Sequence, residues 1–153
     1  MTTSMLSMRT LHLIDIENLC AGSVSLANVR NARDAYTRVS PIISGDHTVI
    51  GSSRANCVDT IAWGAARRVV GSGVDGADLA LLEVLEEERI TDHYGRVVIA
   101  SGDGIFAAAI GALGSSLMTR VVSRTTSCSR RLLLACHEFA PMPDVTSVNW
   151  GAA

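Results

Sequence analysis

Five short apolar runs recur along the chain, "TLHLIDI", "HTVIGSS", "RRVVGSG", "GRVVIASGDG" and "LMTRVVSR", each separated from the next by a longer stretch. Their Val, Ile and Leu content marks them as strands. They are nearly continuous in apolar residues, the pattern of strands covered on both faces. The intervening stretches carry helical periodicity. "VSLANVRNARDAYTRVS" places Val24, Ala27, Ala32, Ala35 and Val39 at helical intervals and ends before Pro41. "VDGADLALLEVLEEERI" is the clearest helix, with Asp75 as its expected N-cap, Asp78 three residues on, and Leu79, Leu82 and Leu85 as its apolar stripe. "RANCVDTIAWGA" reads as a short helix, "IFAAAIGALGSS" as an Ala-rich one and "SCSRRLLLACHEF" as the last. This alternation predicts an α/β fold: a single-domain three-layer α/β/α sandwich around a mainly parallel sheet of about five strands. The domain is expected over residues 9–141, with 142–153 as a tail ending in a loop or a short edge element.

Size and composition agree with that fold and narrow its partners. The chain has 153 residues, 48% of them hydrophobic and 18% charged, which suits one domain with a proper core. A net charge of -2 gives no overall attraction to nucleic acid or membrane, so such binding needs a local patch. All thirteen basic residues are Arg. From Gly104 to Cys136 there are four (Arg120, Arg124, Arg130, Arg131) and no acid, so one end of the fold is expected to be positive. Glu83, Glu86, Glu87, Glu88 and Asp92 form an acidic block. The four cysteines show no zinc-like spacing with His12, His47, His93 or His137, the opening residues lack a signal-peptide core, and no apolar run approaches a membrane span. A cytoplasmic protein with reduced thiols is expected.

Three strand ends carry acids. Asp15 closes the first strand, Asp75 and Asp78 follow the third, and Asp103 follows the fourth in "SGDG". In parallel α/β sheets, ligands gather outside the carboxyl ends of the strands. Carboxylates gathered there repel, so they hold protons or share a cation, and a hard ion such as Mg²⁺ or Mn²⁺ suits oxygen ligands. Each acid also has a plain structural role open to it: Asp75 and Asp78 at a helix start, Asp103 and Asn18 in turns, Glu17 as a structural or solvated group.

"LIDIENL", "DGADLALLEVL", "VVIASGDGIFAAAIGAL" and "VVSRTTSCSRRLLLACHEF" resemble, in order, the successive blocks of a NYN domain, a family of the PIN-like, FLAP-nuclease-like fold. The resemblance runs from about residue 9 to about residue 141. It implies metal-dependent cleavage of RNA with Mg²⁺ or Mn²⁺. Asp15 and Asn18 match the family's D-x-x-N element, Asp78 the acid of G-x-D-x-x-L, and Asp103 the first acid of S-G-D-x-D-F. Here that turn reads "SGDGIF", so Ile105 stands where the family often has a second Asp. Three accounts are open: Asp75 compensates as an auxiliary acid, fewer carboxylates and more water hold the metal, or the protein binds RNA without cutting it.

Single-stranded RNA is the expected partner, with no membrane, and the assembly is left open between monomer and homodimer. Ser123, Arg124, Ser127, Ser129 and Arg130, with Arg131, are the candidate phosphate contacts, from hydroxyls and guanidiniums around a helix start. Ser52, Ser53 and Arg54 are weaker candidates. Trp63, His12 and Cys20 are expected in the core, and His137 near the negative end of the last helix. Two rivals stand beside the nuclease: a degenerate RNA-binding module, and a haloacid-dehalogenase-like phosphatase. The latter lacks its second Asp, because Glu17 stands there, and lacks any Lys.

Overall fold

The computed structural model describes residues 9–143, and the expected tail beyond Pro143 lies outside them. Six strands form one sheet: β1 (Thr10–Asp15), β2 (His47–Ser53), β3 (Arg67–Gly71), β4 (Arg96–Ala100), β5 (Met118–Ser123) and β6 (Glu138–Pro141). Their order is β3-β2-β1-β4-β5-β6, and all five pairings are parallel. The α/β expectation stands, with one strand more than about five. The sixth comes from residues assigned to the last helix and the tail. That helix stops at Ala135, and Glu138–Pro141 pairs with β5 instead.

Alternation along the strands sorts side chains onto two faces. Ile14, Ile50, Val98, Ala100 and Val122 pack with Val29, Ala32 and Tyr36 of α2 (Leu26–Val39) and with Trp63 of a 3₁₀ helix, Val58–Trp63. On the other face Leu13, Val49, Ile99 and Val121 pack under α3 (Gly76–Glu87), α5 (Ala107–Leu113) and α6 (Arg130–Ala135). Two single-turn helices, α1 (Ile16–Leu19) and α4 (Ile90–His93), complete the set. The layers are helix, sheet, helix. Among the described residues no helix is long and apolar enough to cross a membrane.

The buried stripe of α3 differs in phase from the expected one. Ala77, Asp78, Leu81, Val84 and Leu85 face inward, while Leu79 is 54% exposed. Gly51 explains the phase. It pairs with Asp15 in register, and a side chain there would meet Leu81 Cγ at 2.5 Å. Leu81 settles over this gap and so rotates Asp78, one turn earlier, toward β1. Gly71 and Gly76 let the end of β3 and the start of α3 touch backbone to backbone, where no Cβ fits.

One polar network crosses the core near the amino ends of the strands. His12 contacts the Tyr36 hydroxyl through Nδ1 (2.6 Å) and Asp46 Oδ2 through Nε2 (3.1 Å), and Asp46 accepts the Thr10 and Ile43 N–H groups. Burial lowers the His12 pKa against the pull of Asp46, so the ring is neutral and carries its proton toward the carboxylate. His12 is a satisfied core residue, as expected. Trp63 is 1% exposed against Tyr36, which removes it from base stacking.

Candidate functional site

The strand order reverses between β1 and β4. There the crossovers leave in opposite directions, the place where parallel sheets of this kind carry a crevice beyond the strand ends. β1 delivers Asp15 to this point, and Asp15 also caps α1 by accepting the Asn18 N–H (3.3 Å). β4 ends one residue before Ser101, whose hydroxyl donates to Asp15 Oδ2 (2.7 Å) and accepts the Asp103 N–H (3.1 Å). Asn18 Oδ1 accepts the Gly102 N–H (3.0 Å), tying α1 to the same turn. Asp103 Oδ1 receives the Ile105 N–H (3.0 Å).

Asp78 arrives from α3 and completes the group. Its carboxyl lies beside those of Asp15 and Asp103. Neighbouring carboxyls repel unless one holds a proton, and Asp78 is the one whose pKa is raised to hold it. Burial, then the charge of Asp15, then its contact with Asp103 push its pKa up to about 8. Burial likewise raises Asp15, against the hydrogen bonds it accepts from Ser101 and the Asn18 N–H. Among the described residues no three His, Cys, Asp or Glu side chains stand grouped as a ready-made cation site. The oxygens of Asp15 and Asp103 are turned to Ser101, Asn18 and Ile105 instead, and Asp78 stands beside them with its proton. The chemistry of these groups, three carboxyls that repel one another, is of the kind a hard dication would relieve.

The structure thus brings Asp15, Asn18, Asp78 and Asp103 together. Asp75 stands apart, exposed at the N-cap position of α3 with φ of 58° and no side-chain cap bond. Ile105 packs against the core. Glu17 is structural: its Oε1 accepts the Ser53 N–H (2.7 Å) and Asn56 Nδ2 (3.0 Å), and these bonds outweigh burial to hold its pKa below the usual range. Ser52 is buried. Cys20 is buried too, its thiol pushed up to about 11, and carries no chemistry.

The phosphate-contact candidates divide. Arg124 Nη2 donates to the Asn18 carbonyl (3.1 Å), which draws it to the carboxylate turn. The Ser123 and Ser127 hydroxyls donate to the Arg124 carbonyl, at 3.2 and 3.4 Å, and so shape the loop. Ser129 holds the N-cap position of α6 without a side-chain cap bond, and its N–H donates to Gly102 O (2.7 Å). Arg130 and Arg131 are exposed. Arg120 leaves the expected patch, because its Nε donates to Glu138 on β6 (2.9 Å). His137 follows α6 and its Nδ1 accepts the Thr119 N–H (3.1 Å), a strand contact in place of the expected helix end.

Sequence reasoning gave Ser101 no role. A hydroxyl at the first position beyond a strand, on the edge that carries the acids, was the available signal. A cavity of about 440 Å³ lies at the opposite, amino end of the sheet, lined by His47, Arg67, His93 and Tyr94 among others. It holds none of the carboxylate-site groups.

No family model matches the chain, and no curated protein matches it. The structure is similar to the crystal structure of a protein of unknown function from Vibrio parahaemolyticus. That likeness has a TM-score of 0.62 at 17% identity, over 94% of this chain and 98% of the other. At this identity the likeness carries the fold alone.

Proposed function

We propose that the chain is a PIN-like, NYN-type ribonuclease that hydrolyses RNA phosphodiester bonds with Mg²⁺ or Mn²⁺. One observation carries the reading: Asp78 is placed between Asp15 and Asp103, far apart in sequence, at a cost in carboxylate repulsion that folding alone does not require. Asp15, Asp78 and Asp103 would hold the ion. Such an ion stabilises charge developing on a phosphodiester and lowers the pKa of water.

The chain's own residues set the rest. Ser101 and the Asn18 N–H fix the Asp15 oxygens, and Asn18 Oδ1 fixes the turn that carries Asp103. Asp78 holds a proton that a bound cation would displace. Arg124, drawn to the Asn18 carbonyl, and exposed Arg130 offer charge-assisted contacts to RNA phosphates. We place the protein in the cytoplasm, in accord with Cys20, Cys57, Cys128 and Cys136, all of them free thiols.

Incubation of the purified protein with a fluorescent single-stranded RNA tests this, with Mn²⁺, with chelator, and with Asp78→Asn and Asp103→Asn alongside. Cleavage that needs Mn²⁺ and vanishes in both variants supports the proposal. Cleavage indifferent to metal or to the variants overturns it. Salt-sensitive RNA binding without turnover would replace it with the non-catalytic module, the reading that Ile105 favours.

A further inference from the structure

The outer edge of β3 is built differently from that of β6. Among the described residues β3 pairs only with β2, and its other backbone edge has no sheet partner there. Proteins blunt such edges with short strands, proline or solvated charge. β6 follows the rule, with four residues ending on Pro141. β3 has no proline, and both its arginines are drawn aside. Arg67 forks onto Glu88, at 2.5 and 2.7 Å. Arg68 donates to Thr60 Oγ1 and to the carbonyls of Thr60, Gly64 and Ala66. A groove of about 330 Å³ runs beside this edge, between β3 and α3. Val69 and Val70 both line it, and successive strand residues point to opposite faces, so it follows the edge itself. Val84 adds to its floor, and Glu83 and Glu87 form its wall.

We infer that this edge accepts an extended basic peptide, added to the sheet as a further strand. The unpaired backbone supplies hydrogen bonds to any extended chain, and alternate side chains supply the selection. Basic ones, on the face that α3 covers, meet Glu83 and Glu87 over Val69, and apolar ones, on the opposite face, lie beside Val70. The wall decides the sign. Glu83 and Glu87 stand one turn apart on α3, a like-charge pair that an arriving cation relieves, and neither has an ion-pair partner among the described residues. A nucleic acid is repelled there. A second copy joined edge to edge across a two-fold axis would set this acidic row against its own image.

The test uses the full chain and a fluorescein-labelled octapeptide of alternating arginine and valine, followed by fluorescence anisotropy. The probe binds, the complex weakens with salt, and amide resonances of residues 67–71 shift. Glu83→Gln with Glu87→Gln lowers affinity by about tenfold, and a probe N-methylated on alternate backbone nitrogens fails to bind. Asp103→Asn binds the probe like the wild type, so loss of the nuclease reading would leave this one intact. Equal binding of the methylated probe, or unchanged affinity in the double glutamine variant, overturns the inference. Concentration-dependent self-association abolished by Val70→Arg would do so too, because a second copy would then be the occupant.

Discussion

Replacing Asp78 by asparagine removes the carboxyl that Asp15 and Asp103 crowd, and the loss can be read as a change in how cation affinity depends on pH. The Asp78 carboxyl titrates at about 8, against an ordinary value of 3.8. At pH 7 such a group is protonated in roughly nine molecules of ten, so a cation taking its oxygen displaces about 0.9 proton. Apparent Mn²⁺ affinity then rises about ninefold from pH 6 to pH 7 and roughly fivefold more by pH 8, levelling above pH 9. In Asp78→Asn binding is weaker and most of this slope disappears. Calorimetric titration with Mn²⁺ at the three pH values, in two buffers of different ionisation enthalpy, measures both affinity and proton release. The metal-free protein shows the converse. Its fold favours the neutral carboxyl, so this contribution is fully present below the unfolded value of 3.8 and is lost as pH rises toward 8. Asp78→Asn keeps the shape without the charge and should melt several degrees above the wild type at pH 8, at about 2–4 °C per kcal/mol. A wild-type affinity flat from pH 6 to pH 8, or a variant matching it in affinity and slope, would refute the reasoning.

Gly51→Ala drives a methyl into Leu81 and should cost about 1–3 kcal/mol while weakening Mn²⁺ binding. Adding Leu81→Ala should restore the binding more than the stability, as urea unfolding and titration would show. Trp63→Ala empties the largest fully buried side chain and should cost about 3–5 kcal/mol, whereas Trp63→Phe should leave RNA affinity unchanged in a filter-binding assay. Glu17→Ala orphans the Ser53 N–H and should cost about 1–3 kcal/mol at neutral pH. Because the folded Glu17 pKa lies below 4.5, its contribution is present above that value and fades as pH falls through the folded one, so wild type and variant should converge in acid melts.

The fold was legible because continuous apolar runs and helical spacing report burial directly. The phase of α3 was not. Leu79, Leu82 and Leu85 make as good a stripe on paper as Leu81, Val84 and Leu85, and the choice rests on Gly51, a residue of another strand. β6 was hidden for a similar reason: Glu138–Pro141 is a strand only because β5 is beside it, and the same pairing withdraws Arg120 from the expected cationic patch. The acids at the strand ends were readable from position alone. Asp75 and Asp78 could not be ranked, because the gap at Gly51 and the close approach of Gly71 and Gly76, none of them on the helix's own apolar stripe, decide which one reaches β1.

The reversal of strand order between β1 and β4 means that the hollow owes its existence to how the chain is routed, and not to the aspartates that line it. Stripped of all three acids, the protein should still fold around the same pit. Its lining is therefore free to change chemistry one side chain at a time, while the scaffold beneath stays as it is.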